Sequence, residues 1–243
     1  MPAALAGSTV EQYLEPLLAG ERRKCREFVE GQLGLRRRAD AVLNELIWPA
    51  MERVERLFRE DRISAAAEHM AVRINRTLSS RLQNALEYLP AGNRRILIAC
   101  ADGEKEEING QVMADLFEAR GWQVYFIGSG VPNDEVLNMV GQLRPEILLI
   151  CGTHPQGVPQ VRALIDLIRD VGCNPTMNIL VSGGVFNRAD GLWKEVNADL
   201  FARTASEAIP LAESAQPRKP EIRIPGAPKK RRRRRPAALL AAS

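Results

Sequence analysis

The chain has 243 residues, 45% of them apolar, enough for one large packed domain or two modest ones. No run of about 18 apolar residues is present, which argues against a membrane span. The formal net charge of +4 conceals an uneven distribution: residues 215–243 hold ten Lys/Arg and one Glu, so that segment carries +9 and residues 1–214 carry −5. A broad affinity for nucleic acid therefore belongs to the end of the chain and not to the acidic body.

The amino terminus, "MPAALAGSTVEQYLEP", lacks the basic and apolar blocks of a secretory leader, so none is expected. The cysteines, Cys25, Cys100, Cys151 and Cys173, show no C-x-x-C spacing, which fits a reducing cytoplasm. Cys100 and Cys151 end apolar runs and are expected as buried thiols.

Residues 1–90 read as four helices forming a bundle. Val10–Leu18 and Glu21–Leu33 are two short ones. The stretch "ADAVLNELIWPAMERVERLF" places Val42, Leu43, Leu46, Ile47, Ala50, Val54, Leu57 and Phe58 on one face, and Pro49 should kink it. Ser64 is the expected N-cap of a fourth helix running to about Leu89, with Ala67, Met70, Ile74, Leu78, Leu82 and Leu86 inward.

At "PAGNRR" the pattern changes to alternating strands and helices. Strands are expected at Arg95–Cys100, Gln123–Ile127, Ile147–Cys151, Asn178–Ser182 and Asp199–Ala202. Helices are expected near Glu106–Arg120, Asn133–Leu143, Pro159–Val171, Arg188–Val196 and Ala205–Glu213. This alternation predicts an α/β domain over residues 91–213, a five-stranded doubly wound parallel sheet of Rossmann-like or flavodoxin-like type. Ligands in such sheets sit outside the carboxyl ends of the strands. The loops 101–109, 152–159 and 183–188 are then the candidates. Residues 214–243, rich in proline and holding the cationic run Lys229, Lys230, Arg231, Arg232, Arg233, Arg234 and Arg235, are expected to be a disordered basic tail. That run suits a nonspecific anion contact, with nucleic acid or an acidic partner.

The loop "ADGEKEEINGQ" holds neither a P-loop nor G-x-G-x-x-G. Its Glu104, Glu106 and Glu107 would each stabilise a helix N-terminus by a few tenths of a kcal/mol, roughly. "CGT" (Cys151–Thr153) and "SGG" (Gly183, Gly184) end later strands. In the helical half, Phe58 is followed nine residues on by Glu68 and His69. The only other histidine, His154, stands in "THPQGVP". No nucleophile elbow, HExxH or paired-cysteine zinc pattern is present. Trp48, Trp122 and Trp193 are dispersed and read as core.

Taken together, these elements over residues 39–213 resemble the cobalamin (vitamin B12)-binding module. Within it, the likeness is to B12-dependent light sensors and antirepressors of bacterial transcription. In that family a D/E-x-H-x-x-G motif follows the first strand and its histidine ligates cobalt from below. Here Glu104 keeps the acidic position, Glu106 stands where the histidine belongs and Asn109 where the glycine belongs. The family's S-x-L is similar to Cys151–Thr153, and its glycine pair to Gly183 and Gly184. Its W-x9-E-H, which covers the upper face of the corrin ring, is similar to Phe58 with Glu68 and His69.

The resemblance implies a non-enzymatic, cytoplasmic cobalamin-binding regulator, responsive to light or redox state, acting on a transcriptional repressor or on DNA. Phe58, Glu68 and His69 would lie above the ring, Glu104, Glu106 and Asn109 below it, and Cys151, Thr153, Gly183 and Gly184 along the nucleotide-tail groove. A carboxylate is a harder donor than imidazole and suits cobalt less well. His154 is the replacement metal ligand to consider, against an ordinary loop histidine. Two rival readings remain: a cofactor-free scaffold that binds a protein partner, and a corrinoid carrier protein in methyl transfer.

Overall fold

The first helices form where the apolar spacing is helical. Helix α1 spans Gly7–Leu18 and α2 spans Arg22–Gly34, followed by α3 at Ala39–Val42, α4 at Trp48–Arg59 and α5 at Ala65–Gln83. The computed structural model describes residues 7–101 and 107–220. Between α3 and α4, Leu43–Ile47 forms a π-helical turn, with the Trp48 N–H reaching the Leu43 carbonyl. Pro49 lacks an N–H and its ring crowds the preceding turn, and the wider π turn accommodates both without ending the helix. Leu43, Leu46 and Ile47 stay fully buried through the turn, each contributing roughly 1.5–3 kcal/mol by leaving water.

Ser64 caps α5, its hydroxyl accepting from the Ala67 N–H at 3.2 Å. The helix stops at Gln83 and not near Leu89, because the chain then crosses to the sheet and Leu89 N–H bonds the Ala119 carbonyl. Leu86 is buried beyond the helix end, whereas Met70, expected inward, is 43% exposed and lies over Gly20.

The second half alternates as expected: β1 Arg95–Cys100, α6 Ile108–Ala119, β2 Gln123–Gly128, α7 Asn133–Leu143, β3 Ile147–Cys151, α8 Val158–Val171 and β4 Asn178–Ser182. It closes with α9 Gly184–Arg188, α10 Leu192–Glu195, β5 Leu200–Ala202 and α11 Ala205–Ser214. Of the helix expected near Arg188–Val196 only Leu192–Glu195 forms, because Ala189 is extended and Gly191 turns left-handed at φ 79°; the short α9 at Gly184–Arg188, ahead of it, was not expected.

All strands are parallel, in the order β2-β1-β3-β4-β5. Strand residues alternate between two cores. Ile96, Ile98, Leu149 and Leu180 pack with α6, α11 and the helical bundle in one continuous cluster. Leu97, Leu148, Ile150 and Val181 face α7 and α8 in the other. The bundle is thus joined to one face of the sheet through a shared core.

Residues 215–220, expected as the start of a disordered tail, instead lie against the amino end of β4. Arg218 N–H bonds the Thr176 carbonyl at 2.8 Å and its guanidinium pairs with Asp199 at 3.1 Å. Asp199 also pairs with Arg169 and accepts from the Ile179 N–H. Composition hides this docking, since it depends on a carboxylate placed by the fold. No helix among the described residues is long and apolar enough to cross a membrane. The run Lys229–Arg235 lies outside the described residues.

Candidate functional site between the bundle and the strand ends

The strand order reverses between β1 and β3, and the crevice at their carboxyl ends is where open parallel sheets take ligands. Here the bundle roofs that crevice. Between them lies a cleft of about 650 Å³, within the size range of small-molecule sites.

Two helices make the roof by the same spacing. Met51, Val54, Glu55 and Phe58 on α4 face the cleft at i, i+3, i+4 and i+7, and Ala65, Glu68, His69 and Val72 on α5 repeat the interval. Asn109, Thr153, His154, Gly184, Asn187, Arg188 and Arg203 line the floor, from the loops after β1, β3, β4 and β5. The structure therefore brings Phe58, Glu68, His69, Asn109, Thr153, His154 and Gly184 to one cleft. Cys151 and Gly183 are buried behind that lining. Glu104 and Glu106 lie outside the described residues.

The loops after β3 and β4 interlock. Gly152 N–H bonds the Ser182 carbonyl and Val185 N–H bonds the Gly152 carbonyl. Gly183 sits at φ 105°, and a Cβ there would stand 2.4 Å from the Gly152 oxygen. Only glycine permits that approach. Cys100, Cys151 and Ser182 stand in register at the ends of β1, β3 and β4. The Ser182 hydroxyl and the Asn187 Oδ1 are buried without a hydrogen-bond partner among the described residues.

Glu107, at the end of the loop after β1, adopts a left-handed φ of 47°. Its Oε1 accepts from both the backbone N–H and the hydroxyl of Ser129 at 2.6 Å. The carboxylate is thereby tethered to the end of β2. Gly110 packs where a Cβ would come 2.7 Å from the Cys100 Sγ and 2.9 Å from Phe126. The close glycine is thus one residue after Asn109, whose side chain lines the cleft instead.

A clasp joins roof to floor. Arg188 donates to Glu55 Oε1 at 2.9 Å and to the Thr153 carbonyl at 2.7 Å. Asn187 donates to Glu52 Oε1 at 3.1 Å, which also accepts from the Trp48 indole N–H at 3.2 Å. Burial raises the Glu52 carboxyl above its ordinary range, against the lowering effect of these two hydrogen bonds. Sequence reasoning missed Glu52 and Glu55; it gave Glu107 only a helix-stabilising role, and it reached Asn187 and Arg188 only as part of the candidate loop 183–188. For Glu52 and Glu55 the available signal was a pair of glutamates among the apolar positions of α4.

Two observations test the fit to a corrinoid. Gly184 and Asn187 line the floor, and the buried Asn187 Oδ1 has no hydrogen-bond partner among the described residues. The donor set includes both histidines of the chain, His69 above and His154 below. Imidazole nitrogen is a suitable cobalt ligand, so the residues present fit.

Comparison with known proteins agrees with this geometry. Over 89 residues the chain is 29% identical to the HTH-type transcriptional repressor CarA of Myxococcus xanthus, a match covering 37% of this chain and 31% of that protein. The chain therefore spans about a third of that relative's length. The monomethylamine corrinoid protein of Methanosarcina barkeri superposes with a TM-score of 0.72 at 17% identity, covering 84% of this chain and 97% of that one, a likeness of fold. Residues 9–83 match the family model described as B12 binding domain. The helical region is thus similar to a B12 binding domain, and the chain as a whole has the fold of a corrinoid protein.

Proposed function

We propose that this chain is a non-enzymatic cobalamin-binding sensory protein that controls transcription through a repressor partner or DNA, in response to light or redox state. The observation that carries the reading is the cleft roofed by Phe58, Glu68 and His69 and floored by the loops at the strand ends. His69 offers an imidazole nitrogen to the upper face, Phe58 shields that face from water, and Glu68 stands beside the imidazole on α5. Asn109 lines the cleft on the side of the strand ends, and the family resemblance assigns Glu104 and Glu106 to that side with it. Thr153 and Gly184, with Cys151 and Gly183 behind them, line the groove for the nucleotide tail. Bound cobalamin supplies an upper cobalt–ligand bond that light or redox chemistry can change.

The clasp supplies the route outward. Glu52 and Glu55 tie α4 to α9 through Asn187 and Arg188, so a ligand filling the cleft acts on contacts that fix the bundle. Repacking of the bundle then alters the surface offered to a partner. The run Lys229–Arg235 adds a salt-sensitive, sequence-independent contact with nucleic acid.

The test is purification in the dark with adenosylcobalamin or hydroxocobalamin, followed by gel filtration and a visible spectrum. Pigment should elute with the protein and show a shifted spectrum. A free-cobalamin spectrum with no retained pigment refutes the reading.

A further inference from the structure

We propose that His154 supplies the lower-face nitrogen ligand to cobalt, taking over from the loop after β1; this rests on the cobalamin reading. The chain has two histidines, and both line the one cleft from opposite walls. His69 comes from α5 in the roof, and His154 from the loop at the carboxyl end of β3, beside the β1/β3 switch point. The cleft therefore offers an imidazole donor from its roof and another from its floor.

The loop after β1 is poorly equipped for the task. It contains no histidine, and the carboxylate of Glu107 is held by Ser129 at the end of β2. The loop after β3 is held in place around His154. The Thr153 carbonyl on one side accepts from Arg188 at 2.7 Å, and Gly152 is locked against Gly183. On the other side Pro155 begins a 3-10 turn, and the His154 carbonyl accepts from the Gly157 N–H at 3.3 Å. A residue before proline is confined to extended backbone, and His154 sits there at φ −102°, ψ 141°. Its ring is exposed and makes no hydrogen bond or ion pair among the described residues. The backbone is fixed while the imidazole is uncommitted, a suitable state for a ligand awaiting its metal.

The deciding measurement is electron paramagnetic resonance of the cob(II)alamin-loaded full chain carrying nitrogen-15 histidine. A histidine ligand gives doublet splitting of the cobalt lines, the cofactor's own benzimidazole gives triplet splitting, and water gives none. We expect a doublet that persists in His69→Gln and is lost in His154→Gln. A triplet or no splitting in the unsubstituted protein overturns the assignment, as does a doublet that survives His154→Gln. Failure of the unsubstituted chain to retain any corrinoid on gel filtration refutes the cobalamin reading itself, a different result from retention with the wrong splitting.

Discussion

Replacing Gly183 by alanine should destabilise the protein far more than the same change at another left-handed glycine. Gly183 adopts φ 105° and ψ 171°, a region almost closed to other residues, at a cost of about 1–3 kcal/mol. Its new Cβ would also lie 2.4 Å from the Gly152 oxygen and 3.0 Å from the Gly152 nitrogen. That neighbour is backbone, tied to Ser182 and Val185, so it cannot step aside as a side-chain end would. Overpacking of this kind adds about 1–3 kcal/mol, for a total near 2–6 kcal/mol. Gly172 is the control: at φ 67° a methyl group added there would meet nothing within 4 Å, so alanine costs only the conformational penalty, about 1–2 kcal/mol. Urea unfolding followed by circular dichroism gives both numbers. The reasoning fails if Gly183→Ala costs no more than Gly172→Ala. Cobalamin retention should fall in Gly183→Ala alone, because only that change pushes apart the loops that floor the cleft.

Asp115 should make stability depend on pH. It is 4% exposed in α6, and burial first, then the Glu118 charge, push its carboxyl up to about 7. An unfolded aspartate titrates near pH 3.9, roughly, so the folded state holds the extra proton between about pH 4 and 7 and loses stability as pH rises through that window, by up to about 4 kcal/mol. Asp115→Asn removes the titration, and its stability relative to the parent should grow from pH 4 to pH 8 in thermal melts; a pH-independent difference refutes the assignment. Across the cleft, a double-mutant cycle of Glu55→Gln and Arg188→Gln should return a coupling of about 1 kcal/mol for this partly buried pair. A coupling near zero removes the clasp from the energetics that hold the bundle to the floor.

The elements most legible in the sequence are those whose burial follows a local period. Residues 133–143, 147–151 and 178–182 form the expected elements because apolar runs are bounded there by turn residues. Phe58, Glu68 and His69 were singled out by likeness to a family motif, and α4 and α5 bring them to one cleft. Met70 shows where periodicity stops: its period points inward, yet its side chain lies over Gly20, at a turn whose position no local period reveals. The floor was less legible because its partners meet only after the strands take the order 2-1-3-4-5. Arg188 and Glu55 are 133 residues apart, and Glu107 and Ser129 are 22 apart on neighbouring strand ends. That second pair matters most for function. A motif aligned on Asn109 directs attention to Glu106 as the lower ligand's replacement. The fold ties the adjacent carboxylate, Glu107, to the end of β2 and leaves an imidazole free on the neighbouring loop. A one-dimensional motif compares a position with its own counterpart, whereas a cleft compares all the donors that surround it. By that comparison the proposed lower ligand is the imidazole on the loop after β3, in place of a residue on the loop after β1.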